Sequence, residues 1–341
     1  MPVGNSSQGV GLFPGEVMLN MDLNFQKIIW SHDPLPYENF VHKGLLNSTT
    51  INPRFTIGIS ERFNITVSQA IGVRKMIWES DAVSIHHRSE DTSTDFRRSY
   101  DNSIQAKGGI FGDTKIQIKY LYKDIGMKEG SRIYFGFGIT SPSKAVLRSD
   151  PFKKPQDTSD INEWLSGKYD HRHFSLSNGV YKGSLEIQLF NKKFSNPIFY
   201  GAVFNIDIPF SPSKYGYLPG LNYSISSSIV FERSSFVNDQ FNIFPAGFLY
   251  GLSFIGFEEA SWNDIPSPNS KSRMLIPSIG GIWPTKKGSV SLSFQKPFFI
   301  EGRNIMVGID TVSNDPLNNK TNAFEILFGY RRNLGYMIPW L

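Results

Sequence analysis

A two-residue alternation of apolar and polar side chains constrains this chain more than any motif does. Residues 196–210, NPIFYGAVFNIDIPF, show it most plainly. On a strand, successive side chains point to opposite faces. Ile198, Tyr200, Ala202, Phe204, Ile206, Ile208 and Phe210 then share one face, and Phe199, Gly201, Val203, Asn205, Asp207 and Pro209 share the other. An amide and a carboxylate in so apolar a run require one face to meet hydrocarbon and the other water. Two folds satisfy that requirement. A soluble β-sandwich or jelly roll buries its apolar face in a core. A membrane barrel turns its apolar face to lipid and its polar face to a wet interior.

The pattern recurs throughout. EVMLNMDLNFQ sets Val17, Leu19, Met21, Leu23 and Phe25 against Asn20, Asp22 and Asn24. RFTIGISERF carries Phe55, Ile57 and Ile59, and after a tight break at Asn64 the run ITVSQAIGVRKMIW gives Ile65, Val67, Ile71 and Val73. GDTKIQIKYLY opposes Ile116, Ile118, Tyr120 and Tyr122 to Lys115, Gln117 and Lys119, and RIYFGFGI opposes its Ile and Phe residues to Tyr134, Gly136 and Gly138. GSLEIQLF, NYSISSSIVFE, FPAGFLYGLSFIGF, SVSLSFQ and NAFEILFGYRR continue the series, with MLIPSIGGIW less regular. The total is about twelve strands, an even number of the kind membrane barrels have.

The connections separate the two folds. Residues 31–52, 81–108, 144–177 and 301–321 are long and polar; Asn64, 124–131, 195–197 and 285–288 are short breaks. Long and short connections alternate through most of the chain, as in barrels with short periplasmic turns on one rim and longer extracellular loops on the other. Trp30, Trp78, Trp262 and Trp283 fall at expected strand ends, where an interfacial aromatic belt would place them. The reading is therefore all-β: a transmembrane antiparallel up-and-down barrel over residues 15–332, with 1–14 a flexible or plugging segment and 333–341 a C-terminal extension.

Composition agrees. Phe (28) and Tyr (14) fit a pleated sheet, while Gly (30) and Pro (20) interrupt helices. No apolar run reaches the roughly 18 residues of a membrane-spanning helix. Cysteine is absent, which excludes disulfides and thiolate metal sites and suits an exported protein. The net charge of +5 comes from scattered Lys and Arg rather than a basic stripe, so no nucleic-acid partner is expected. The N-terminus lacks a basic region followed by an apolar one, so an exported protein would be seen here in mature form.

Several stretches resemble the outer-membrane barrel family named for the meta-cleavage pathway of phenol degradation. The resemblance runs through GGIFGDTKIQIKY, IYFGFGITSPS, FSLSNGVYKGSLEIQL, FYGAVFNIDIPF and the ending SVSLSFQKPFFIEGRN…AFEILFGYRR. It implies a porin-like transporter of small hydrophobic or aromatic molecules, acting by passive diffusion across the outer membrane of a Gram-negative bacterium. The alternative reading is a structural barrel that holds a partner protein in its lumen or on its long loops, an electron-conduit sheath among them. The sequence has no Cys-x-x-Cys-His, so it would attach no c-type haem itself.

Candidate chemistry is sparse. HFSLSNG brings His173, Ser175, Ser177 and Asn178 close together and loosely resembles outer-membrane phospholipases, but the family spacing is interrupted and turn chemistry explains the same residues. His86, His87, Glu90, Asp91 and Asp95, and the group Asp170, His171 and His173, carry metal-ligand types without fixed spacing. SDINEWLSG, residues 159–167, reads as a short helix that could fold over a pore. No enzyme activity, metal or cofactor is expected. The residues expected to line the lumen are Asp22, Arg62, Arg74, Lys115, Lys119, Glu186, Asn205, Asp207, Glu232, Glu325 and Arg331. Tyr200, Phe204, Ile206, Phe324 and Phe328 are expected to face lipid, since charge on that face near midplane would cost roughly 2–4 kcal/mol for Arg or Lys.

Overall fold

A computed structural model describes residues 11–32, 42–78, 109–123, 130–146, 175–192, 198–232, 244–267, 270–301 and 320–340. In chain order the strands are β1 (Glu16–His32), β2 (His42–Gly58), β3 (Phe63–Trp78), β4 (Phe111–Lys123), β5 (Gly130–Ser141), β6 (Lys182–Lys192), β7 (Ile198–Pro209), β8 (Tyr217–Leu218), β9 (Asn222–Glu232), β10 (Gly247–Phe257), β11 (Ser261–Trp262), β12 (Ile265–Pro266), β13 (Ser272–Thr285), β14 (Gly288–Gln295), β15 (Phe298–Glu301) and β16 (Lys320–Met337). All pairings among them are antiparallel.

Twelve staves close on themselves. The order is β10, β9, β7, β6, β5, β4, β3, β2, β1, β16, β14 and β13, and β10 pairs again with β13. β14 and β15 are one stave interrupted at Lys296 and Pro297; β15 carries on along β13. The closing seam joins β1 to β16 from Glu16↔Met337 to Ser31↔Lys320. β8, β11 and β12 form a separate small sheet at the long-loop rim.

Burial in this barrel is inverted relative to a soluble protein. Asn20, Thr56, Thr66, Gln117, Gln188, Ser228 and Ser293 are buried, while Phe137, Ile139 and Ile279 are each 58% exposed. Large apolar side chains standing in line on the outside, over polar ones packed inside, exclude the sandwich, whose apolar face would be its core. They make the outer face a hydrocarbon-facing one. On β7 Tyr200, Phe204 and Ile208 are exposed whereas Gly201 and Val203 are buried, so the strand lies in the alternation read from its sequence.

Three boundaries differ from the sequence reading. β2 begins at His42, so most of the residues expected in a loop over 31–52 are strand. Its outer row contains Asn47, Thr49 and Pro53, which disguise the period; the ladder to β3 skips Asn52 and Pro53, where a proline without an N–H is tolerated. The tight turn is at residues 59–62, with the amides of Ile59 and Ser60 both donating to the Phe63 carbonyl, and Asn64 is a buried β3 residue. β16 continues through Asn333 to Met337, so most of the expected extension is strand, paired with β1.

Trp262 also departs from expectation. It lies in β11, is buried, and packs on Tyr217 with ring centroids 4.9 Å apart, so it anchors the loop sheet rather than a membrane belt. Residues 150–170, the two His-bearing groups at 86–95 and 170–173, and the helix expected at 159–167 lie outside the described residues.

Candidate functional site: the barrel interior

The inner face is identified by contacts between strands that are not neighbours. Lys115 on β4 reaches Asp207 on β7 at 3.5 Å, across β5 and β6. Lys119 on β4 reaches Glu186 on β6 at 3.3 Å, across β5. Only side chains on the concave face of a closed sheet can make such crossings. The crossing point is built by glycine. Gly136 is the register partner of both Lys119 and Glu186, and a Cβ there would lie 2.9 Å from Gln117 Nε2 and 3.0 Å from the Glu186 Cβ. Lys115 likewise passes over Gly138, where a Cβ would meet Ser184 Oγ at 2.5 Å.

A second charged group lies on the β1–β2–β16 wall. Arg54 donates to Asp22 at 2.5 Å, and Arg331 lies within electrostatic reach of Asp22 and Tyr134. Higher on the same wall the Asn24 amide donates to the Glu325 carboxylate. Arg54 and Asp22 keep opposite charges together in a partly desolvated space, where an isolated ion would be costly, and the neutral Asn24 amide gives Glu325 a hydrogen bond there.

The remaining residues expected in the lumen are placed as follows. Arg74 is on the inner face of β3 and donates to the Ser175 carbonyl at 2.7 Å, holding one foot of the loop between β5 and β6. Asn205 is half-buried on β7 between Glu186 and Ser224 in register. Glu232 is the last residue of β9, half-buried beside Gly247. Arg62 is not on the wall: it is exposed in the turn at residues 59–62, because the strand break comes before Asn64 and not at it. Of the residues expected to face lipid, Tyr200, Phe204 and Phe324 are exposed on the outer face, and Ile206 and Phe328 lie on the same face, half-buried.

The interior also has an apolar wall that the sequence reading did not single out. Leu121, Tyr134, Phe190 and Val203 form a buried cluster with Phe199 against it. The Tyr134 and Phe190 rings meet edge-on at 6.2 Å, and Phe190 stacks on Phe199 at 5.8 Å. All five lie toward the short-turn ends of β4 to β7. Residues 11–14 sit at that same end. Leu12 is buried, and the Gly15 amide donates to the Gly58 carbonyl at 2.8 Å while the Gly15 carbonyl accepts from Ile338. Gly15 has φ +79°, a left-handed turn that admits a glycine between the seated segment and β1.

The opposite end carries the feet of the long loop. Ser177 bridges Val146, and the Ser143 amide donates to Asp113. Ser177 Oγ accepts from the Gly179 amide at 3.0 Å, a turn role, and Asn178 is exposed. Among the described residues no group of three His, Asp or Glu side chains could hold a metal ion.

Single cysteines at positions 204–207 test the wall directly, because the native chain has none. A membrane-impermeant thiol reagent should label N205C and D207C from water and spare F204C and I206C. Labelling of 204 and 206 instead would mean a register displaced by one residue.

No protein-family model matches the sequence, and no curated protein matches it, so the likeness to the phenol-pathway barrels stays a resemblance. Among solved structures, an outer-membrane channel from Pseudomonas putida F1 superposes with a TM-score of 0.58 at 9% identity, covering 96% of this chain and 98% of that one. A Pseudomonas aeruginosa FadL homologue gives 0.44 at 9% identity over 97% of each chain. The P. putida toluene transporter TodX gives 0.37 at 10% identity over 98% of this chain and 91% of that one. At 9% identity the likeness to the P. putida F1 channel establishes fold alone. By fold the chain is a transmembrane antiparallel β-barrel of twelve strands, with the architecture of an outer-membrane channel.

Proposed function

We propose that this protein is a passive channel of the bacterial outer membrane that admits small hydrophobic or aromatic molecules. The long-loop rim is then extracellular and the short-turn rim periplasmic. The carrying observation is the internal apolar wall of Leu121, Tyr134, Phe190, Phe199 and Val203, set beside ion pairs that cancel one another. Paired charges leave no strong single-sign field to select ions. Tyr134 and Phe190 are buried with residues 11–14 seated, Gly11 lying against the Tyr134 hydroxyl, so the rings become offset-stacked or edge-on partners for an apolar or aromatic solute when that segment gives way. The P. putida F1 structure of the same fold is itself described as a channel.

In this reading Asp22, Arg54, Lys115, Lys119, Glu186, Asp207 and Arg331 line the passage, and Tyr200, Phe204, Ile206, Phe324 and Phe328 face lipid. Residues 11–14 plug the short-turn end, and the rest of the expected plugging segment, residues 1–10, lies outside the described residues. The test is solute entry into liposomes containing the purified barrel. A small aromatic solute should enter faster than a sugar of similar size, and F190A should narrow the difference. Equal entry of both solutes, or a large current selective for one sign of ion, would overturn the assignment.

A further inference from the structure

We propose that the outer surface of the β13–β1 sector, at the long-loop rim, binds the phosphorylated saccharide headgroup of an outer-leaflet glycolipid, lipopolysaccharide. Three of the four staves there, β13, β14–β15 and β1, carry basic side chains at or beside the face that otherwise presents hydrocarbon. Lys27 on β1 is flanked two residues away by exposed Phe25 and Ile29, and its Nζ lies 5.9 Å from the Phe324 ring centroid. Lys296, at the break between β14 and β15, stands between exposed Phe294 and Phe298 and donates to the Asn322 side chain. Arg273 shares the outer row of β13 with exposed Ile279, and Lys271 immediately precedes that strand.

Lys271 and Arg273 share two carboxylates. Arg273 is 2.8 Å from Glu301 and 3.6 Å from Glu258; Lys271 is 3.5 Å and 3.9 Å from the same two. Tyr223 closes the group, donating to Glu258 at 3.4 Å. Its ring lies across β10 because Gly256 has no side chain: a Cβ there would be 2.3 Å from the Tyr223 Cζ. All four charged groups are 36–41% exposed.

Among the described residues, the four cations Lys27, Lys271, Arg273 and Lys296 exceed the two carboxylates grouped with them, Glu258 and Glu301, which leaves a positive surplus among apolar side chains. Long basic side chains tolerate that position by lifting their heads to the interface. A phosphate there supplies the missing counter-charge through charge-assisted hydrogen bonds. Glu258 and Glu301 add acceptors for sugar hydroxyls or for divalent cations that link phosphates. Cations and carboxylates together fit a phosphorylated sugar better than a glycerophospholipid, whose headgroup offers one phosphate.

The inference rests on the sidedness proposed above, and the two are tested separately. Native mass spectrometry of the full chain in detergent would be titrated with bis-phosphorylated lipid A, dephosphorylated lipid A and phosphatidylglycerol. The K271Q/R273Q/K296Q variant should bind bis-phosphorylated lipid A on the order of 100-fold more weakly, from roughly fivefold per basic side chain at an anionic membrane surface. K286Q/K287Q, at the opposite rim, should bind as the parent does. Unchanged lipid A binding in the triple variant would overturn the proposal, as would phosphatidylglycerol binding equally tightly and being lost equally. Should the triple variant fail to fold, K27Q/K296Q gives the same reading with a smaller loss. Sidedness is read by impermeant labelling of N263C in intact cells. Absence of label in a folded barrel would place this rim away from the outer leaflet and overturn the lipopolysaccharide assignment whatever the binding in detergent.

Discussion

Replacing Lys119 with Met should destabilise the barrel by about 3–5 kcal/mol, the cost of leaving one partner of a buried ion pair alone. Lys119 and Glu186 meet at 3.3 Å with side chains only 6% and 12% exposed, so the Glu186 carboxyl would lose its partner with little solvent to replace it. Lys115 is near enough to offset part of that loss, which places the expected value at the lower end of the range. The K119M/E186L double variant should recover most of the stability, because two apolar groups of similar volume leave no orphan charge. Urea unfolding in lipid vesicles measures both. If the single variant unfolds with the parent, the pair is hydrated and the interior is wetter than its burial indicates.

Freeing the short-turn end should have the largest effect on flux. The segment at residues 11–15 is seated by backbone hydrogen bonds from Gly15 to Gly58 and from Ile338 to Gly15, and the Phe13 amide donates to the Glu16 carboxylate at 2.9 Å. A seat occupied more than about nine-tenths of the time would let deletion of residues 1–13 raise solute entry on the order of tenfold. Gly58→Ala makes the same test without shortening the chain. Its Cβ would fall 2.1 Å from the Phe13 carbonyl oxygen, which is backbone and cannot rotate away. Folded barrels of both variants with parental flux would remove the plug from the proposed function.

What the sequence disclosed follows from where its period is two. Wherever outer residues are strongly apolar, as at Ile116 and Ile118 or Leu185, Ile187 and Leu189, the face assignment agrees with the burial. The period was lost in β2, where Asn47, Thr49 and Pro53 occupy outer positions. Arg54 is legible in the sequence: it is the first residue of the run RFTIGISERF, and with Phe55 and Ile57 outward, alternation alone turns it inward. Pairing across the interior is a different matter. Alternation shows that Lys115, Lys119, Glu186 and Asp207 share a face, yet which cation meets which carboxylate depends on register between separate strands and on room above Gly136 and Gly138. The apolar wall was hidden for a related reason. Phe199 and Val203 stand in the same row as Asn205 and Asp207, so a reading that sorts faces as polar or apolar overlooks two kinds of surface on one side.

The seam between β1 and β16 has a consequence for how the molecule is made. Its ladder joins the first described strand to the last described one, along nearly the full length of both. Every other stave pairs with neighbours closer in sequence, so a curled sheet can grow stepwise from local hairpins at small loop-closure cost. The final pairing cannot begin until β16 exists, and until then β1 presents an unpaired edge that hydrocarbon cannot satisfy. Assembly should therefore show a late, cooperative step. A chain ending before Lys320 would have its other staves and no means of closing, and it should accumulate as a protease-sensitive, unclosed species rather than as a smaller barrel.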